Sequence, residues 1–328
     1  MFMNWKHPAV RVTGRWDRRN EDAVITTNSG SYIEIAYYGE MVVLFFNLEN
    51  NKHPYPHLWI QVDGGASIEA SVEPFIRIHS KENAGKMHLV TIIFKSSVEV
   101  QNRWLAPLEA KVAFKGIRVD APGILAEDQR IMVEFVGDSI TEGVLVDTDT
   151  GEEGQETRVY QDDVCAAFPW LTAEKLNVRP RIMGYGAVGI TREGLGGVPQ
   201  VTKSYPFVYD GCPLQEQEPK YIVINHGTND SFNLVSEEKY KEGYLELLNL
   251  VRKINPNSQI ICLSIFIGEY TKALKETIEE FNRTYRDKVI FIDTIGWIPR
   301  EPVHPMRDGT AIISDKLSEL LRPIIGSE

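Results

Sequence analysis

The chain changes texture near residue 125, and that change limits what it can fold into. Up to Val119 the apolar residues fall in short strand-like runs with no helical period between them. From Ile131 onward, short apolar runs alternate with segments of helical period. Regular alternation of this kind leads to a mostly parallel sheet with helices on both faces. Strands are expected at 131–136, 181–185, 221–225, 259–264 and 289–293, and helices near 164–177, 236–254, 270–286 and 308–322. The polar, acidic stretch 148–163 reads as a loop over the sheet end.

The first part reads as all-β. Segments 31–37 and 58–62 alternate, 41–46 and 88–94 are nearly continuous apolar runs, and 111–119 closes the series. Turn signals such as Asn28-Ser29-Gly30 and Asp63-Gly64-Gly65 separate them. Many short strands suggest a sandwich or jelly roll. The pattern breaks at Ala121-Pro122-Gly123. We therefore expect a β-sandwich domain over 1–125 and an α/β domain over 126–328, a division that suits a chain of 328 residues.

A net charge of −11 argues against a nucleic-acid backbone or an anionic membrane as partner. It leaves room for a neutral substrate such as a sugar. Cys165, Cys212 and Cys262 are far apart and form no CxxC pair, so they read as buried thiols and support neither a disulfide framework nor a zinc site. The N-terminus lacks the apolar run of a signal peptide, and no stretch is long enough to span a membrane; the expected location is cytoplasmic.

Three strand ends carry residues suited to chemistry. The run Met132 to Val136 is a covered strand that ends in Gly137-Asp138-Ser139-Ile140. In open α/β sheets, ligands bind at the carboxyl ends of strands, where Ser139 stands. Alone, this tetrapeptide is an ordinary strand-to-helix turn with Asp138 or Ser139 as N-cap. The glycine-rich segment 183–191 follows the second strand, and Asn225-His226-Gly227-Thr228-Asn229-Asp230 follows the third. A glycine N–H and an amide side chain there can donate to a developing oxyanion. Equally, each segment alone is a turn, with Asn229 or Asp230 as a cap.

A serine nucleophile also needs a base. Of seven histidines, His7, His53, His57, His79 and His88 lie in the β part, where surface or core roles are expected. His226 and His304 lie in the α/β part. His304 sits in Glu301-Pro302-Val303-His304-Pro305, a loop stiffened by its prolines.

Taken in order, Gly137-Asp138-Ser139-Ile140, Gly189, Gly227-Thr228-Asn229-Asp230 and His304-Pro305 resemble the four blocks of the SGNH hydrolases, also called GDSL-type esterases. The resemblance covers roughly 131–325 and implies an SGNH-type three-layer α/β/α domain. It implies Ser139 as nucleophile and His304 as its base. The implied oxyanion hole combines the N–H groups of Ser139 and Gly189 with the Asn229 side chain. Gly189 matches better than Gly186 because the family's glycine stands two residues before a threonine, here Thr191. No metal or organic cofactor is implied.

Two positions depart from the family pattern. Gly184 stands where block two usually has asparagine, and Glu301 stands where the family's aspartate precedes the histidine. Glu301 is the candidate to orient His304, with Asp293 as a weaker substitute. A backbone carbonyl serving a Ser–His dyad, as in some members, is the alternative.

A β-sandwich ahead of such a domain is similar to carbohydrate esterase family 2, whose members remove acetyl groups from sugars. Gly14-Arg15 ahead of 30–34 is similar to the start of that family's jelly roll. The resemblance implies a serine esterase acting on short acyl esters of a small molecule or oligosaccharide. Asp138, Trp170 and Trp297 are candidates to line the substrate. The rival readings are a general short-chain carboxylesterase and a carbohydrate-binding protein on an inactive scaffold. A homo-oligomer is compatible with the sequence.

Overall fold

The computed structural model describes residues 1–80, 85–148, 157–215 and 217–326. The N-terminal part is a sandwich of two antiparallel sheets. One contains Phe2–Asn4, Val24–Thr26, Met41–Phe46, Phe75–His79 and Val112–Arg118. The other contains Val10–Thr13, Tyr32–Tyr38, His57–Val62, Ile68–Ser71, Met87–Ser96 and Ala121–Pro122. Alternate residues such as Val42, Leu44 and Phe46 on one sheet and Ile33, Ile35 and Tyr37 on the other meet in one buried core. The expected strands are all present. The ones not foreseen have two to five residues and lie mainly at the sheet margins.

The C-terminal part carries a five-stranded parallel sheet. Its spatial order is Arg179–Gly184, Met132–Gly137, Tyr221–Asn225, Gln259–Leu263, Ile290–Ile292. Successive side chains point to opposite faces, and both faces are covered. Ile222, Ile224, Ile260 and Cys262 pack with Tyr244, Leu247 and Ile278 of the helices Glu237–Ile254 and Thr271–Tyr285. Val223, Ile261 and Leu263 pack with Phe168, Ile313 and Leu317 of Phe168–Leu176 and Arg307–Ile325. This is the expected α/β/α arrangement. The helix expected at 164–177 is split: a 3₁₀ turn, Val164–Ala166, precedes Phe168–Leu176. Pro169 sits in the first turn of the second piece, where its missing N–H costs nothing. Of the loop expected over 148–163, residues 149–156 lie outside the described residues, and Arg158–Gln161 is a short helix.

The two parts share buried structure. Tyr32 and Ile93 of the sandwich pack in the same cluster as Phe135 and Trp170. Arg15, fully buried, reaches Glu134 in the middle of the parallel strand Met132–Gly137 at 2.9 Å. Arg181, on the neighbouring strand, meets the same carboxylate at 2.8 Å, and Tyr205 donates to its other oxygen at 2.9 Å. Burial pushes the Glu134 carboxyl up, but Arg181 and Arg15 outweigh it and hold the group at about 2.

Candidate active site

The site forms where three strands end side by side. Gly137 is in register with Gly184 on one side and with Asn225 on the other. The chain leaving each strand therefore delivers its next residues to one edge of the sheet. After Gly137, Asp138 caps the one-turn helix Ser139–Glu142 by accepting from the Ile140 N–H at 3.0 Å. Gly143 closes that helix in the left-handed region. Ser139 is thus held at the first helical position and is 7% exposed.

His304 comes from the loop ahead of Arg307–Ile325, and its Nε2 lies 2.9 Å from Ser139 Oγ. That is hydrogen-bond distance for a base and the hydroxyl it would deprotonate. The loop is anchored just beyond the histidine. Arg307 pairs with Asp147, its Nη2 donating at 2.7 Å, and reaches Asp163 at 3.4 Å. Thr310 Oγ1 donates to the Ala166 carbonyl at 2.7 Å. His226 is a different case. It is fully buried, and burial alone lowers it to about 3, so it stays neutral inside the sheet edge.

Asn229 lies on the short helix Thr228–Phe232, and its Nδ2 donates to the Val188 carbonyl at 3.0 Å. An amide nitrogen has two hydrogens, so one remains for an oxyanion. The same bond ties Asn229 to the peptide that carries the Gly189 N–H. That N–H turns toward the Arg192 carbonyl at 3.2 Å, a long bond within its own loop. The Gly186 N–H is engaged with Glu142 Oε2 at 2.8 Å and is no oxyanion donor here.

Asp230 does more than cap a segment. It is fully buried, and its two oxygens accept from Ile190 N–H at 2.8 Å, Thr191 N–H at 2.9 Å and Thr191 Oγ1 at 2.8 Å. It therefore pins the glycine loop from the far side. The signal was present in the pair Asn229-Asp230, but no local pattern says that the carboxylate reaches back across a strand.

Glu301 is exposed, and among the described residues no hydrogen bond or ion pair joins its side chain to His304. Other expectations are corrected. Asp293 Oδ1 accepts from Ser264 Oγ at 3.4 Å and from the Ile295 N–H at 3.0 Å. Asp138 does not line substrate. It is wholly buried as a cap, and burial, with Asp230 nearby, pushes its carboxyl up to about 7. Trp170 is 8% exposed, bonds Glu174 at 2.9 Å, and borders a groove of about 610 Å³ between the two parts rather than Ser139. Trp297 is half-buried against the core, with Lys316 over its ring. The glycine at 184 has a steric reason: a Cβ there would overlap the backbone of Glu142, so no asparagine fits.

Comparison with known proteins agrees with this geometry. Residues 135–310 match the model of the GDSL-like lipase/acylhydrolase family. No curated protein matches the chain. Among solved structures, the chain is similar to a family two carbohydrate esterase from Clostridium thermocellum in complex with cellohexaose. The identity is 22% and the TM-score 0.80, over 97% of this chain and 99% of that chain. An acetyl xylan esterase from the rumen bacterium Butyrivibrio proteoclasticus matches at 17% identity and a TM-score of 0.83, over 99% of each chain. A family two carbohydrate esterase from Cellvibrio japonicus matches at 18% identity and a TM-score of 0.81, over 99% of this chain and 98% of that chain. The likeness spans the sandwich as well as the α/β part.

Proposed function

The chain belongs to the GDSL-like lipase/acylhydrolase family and is a carboxylic ester hydrolase, and from that premise we propose that it removes short acyl groups, chiefly acetyl, from esterified sugars through an acyl-serine intermediate on Ser139. The observation that carries the reading is the 2.9 Å contact of His304 Nε2 with Ser139 Oγ at the meeting of three strand ends. Support for a sugar substrate comes from the likeness, along nearly the whole chain, to carbohydrate esterases, one of them in complex with cellohexaose.

The steps follow from the groups present. His304 Nε2 takes the Ser139 proton as Oγ forms a bond to the ester carbonyl carbon. The carbonyl oxygen becomes an oxyanion and is met by the second hydrogen of Asn229 Nδ2, by the Ser139 N–H, and by the Gly189 N–H as it exchanges its long bond to the Arg192 carbonyl for the oxyanion. The tetrahedral adduct collapses, its bond to the alkoxy oxygen breaks, and His304 returns the proton to that oxygen. A water then repeats the sequence on the acyl-serine, releasing acetate and restoring both side chains.

The test is acetate release from 4-nitrophenyl acetate and from acetylated xylan by the wild type and by Ser139→Ala. Release from both, lost in the variant, is the expected result. Release from the nitrophenyl ester alone would overturn the sugar substrate and leave a general short-chain esterase. Undiminished release by Ser139→Ala would overturn the assignment of the nucleophile.

A further inference from the structure

The sandwich reaches under the catalytic loops. Segment 99–103 runs against the glycine loop that follows Arg179–Gly184. The Arg103 N–H donates to the Gly196 carbonyl at 3.0 Å. A methyl group at Gly186 would overlap the Glu99 carboxylate, and one at Gly196 would overlap the Gln101 carbonyl. The two surfaces are therefore in contact along this loop.

At the centre of that contact is one carboxylate with two tasks. Glu142 ends the helix that begins with Ser139, and it is 4% exposed. Arg103, fully buried, meets it with two nitrogens: Nη1 to Oε1, and Nη2 to Oε2 at 3.4 Å. Glu142 Oε2 also accepts the Gly186 N–H at 2.8 Å. A carboxylate can serve both because it has two acceptor oxygens. The result is a continuous link from the sandwich to the glycine loop that Asn229 and Asp230 hold at its other end.

We propose that Arg103 and Glu142 are positioning residues: the sandwich, through Arg103, sets the Glu142 carboxylate, and Glu142 sets the glycine loop beside the oxyanion. This rests on the reading of the site given above. It makes the N-terminal part a working component of the hydrolase rather than an appended module. Neither side chain touches the reacting atoms, so the effect appears in turnover rather than in substrate binding.

The test uses the full chain and two variants, with kcat and KM measured on 4-nitrophenyl acetate. Glu142→Gln leaves one acceptor oxygen. The guanidinium is the stronger donor and draws that oxygen. The amide nitrogen then faces the Gly186 N–H, donor against donor. Turnover falls roughly 10- to 100-fold with KM little changed, the scale expected of an ~1 Å displacement near the chemistry. Adding Arg103→Met releases the amide to turn its oxygen to Gly186, and kcat recovers at least about fivefold over the single variant, the reverse of the additive loss shown by independent sites. A purely structural pair would lower stability in both variants without this recovery. The proposal is overturned if Glu142→Gln keeps kcat within about twofold of wild type or if the second change gives no recovery. Should Glu142→Gln, which leaves the Arg103 guanidinium buried without its anion, fail to fold, Arg103→Lys, which keeps the charge but loses the two-nitrogen contact, is measured in its place, and kcat within about twofold of wild type overturns the proposal. These outcomes are separate from failure of the site reading, which shows as hydrolysis by Ser139→Ala.

Discussion

Replacing Asp230 with asparagine isolates one structural claim about the site. The carboxylate serves three donors, Ile190 N–H, Thr191 N–H and Thr191 Oγ1, in full burial. Asparagine keeps one oxygen. Facing Thr191, it retains two of the three bonds, and its amide nitrogen then opposes the Ile190 N–H. Ile190 is wholly buried, so no water replaces the lost acceptor. One charge-assisted bond is lost and one buried donor is left unpaired, a cost of about 2–3 kcal/mol. For a chain of 328 residues melting as one unit that lowers the thermal midpoint by roughly 3–4 °C. The loop carries the Val188–Gly189 peptide, so kcat on 4-nitrophenyl acetate should fall by about 10- to 100-fold with KM little changed. Both quantities come from one preparation, by thermal unfolding and by initial rates well below the midpoint. A variant that loses the stability but keeps kcat within about threefold would refute the reasoning, because the loop would then be braced by Asp230 without being aimed by it.

Three further outcomes are expected. Asn229→Ala should lower kcat by about a hundredfold or more, the scale of one oxyanion donor, as read by steady-state rates. Glu301→Gln should leave kcat/KM within about twofold of wild type, since the side chain is exposed; a large loss would establish Glu301 as the orienting acid. The third concerns pH. Burial raises Asp138 from 3.8 to about 7, so between those values the folded chain keeps a proton that the unfolded chain has released. This group therefore lowers stability as pH rises through that window, by about 1.4 kcal/mol for each unit. Asp138→Asn keeps the Oδ1 acceptor for Ile140 and carries no charge. Its unfolding free energy relative to wild type should climb between pH 4 and 7 and level off above; a flat or falling difference in urea titrations would contradict it.

What could be read in the sequence follows from how local each signal is. The parallel strands were legible because both faces are buried, which makes runs such as Tyr221 to Ile224 apolar throughout. Ser139, Asn229 and His304 were legible because each stands at a strand end or in a loop before a helix. Strands such as Phe2–Asn4 and Val24–Thr26 are too short to show a period of two. The role of Glu301 was not legible for a physical reason: a three-residue spacing outside regular structure says nothing about which way a side chain points. Arg103 and Glu142, and likewise Asp230 and Thr191, are about forty residues apart, and no periodicity links residues that meet only after the strands are in register.

The arginine that crosses from the sandwich into the parallel sheet has a consequence for how the molecule comes apart. Glu134 lies on the strand Met132–Gly137 with Arg15 from one half and Arg181 from the other. If the sandwich detached while the sheet stayed intact, a wholly buried carboxylate would lose one of its two cations and Arg15 would lose its anion. Breaking such a pair costs roughly 3–5 kcal/mol. Half-unfolded molecules are penalised from both sides, so the two halves should melt as one cooperative unit, with a single heat-absorption peak whose calorimetric and van't Hoff enthalpies agree.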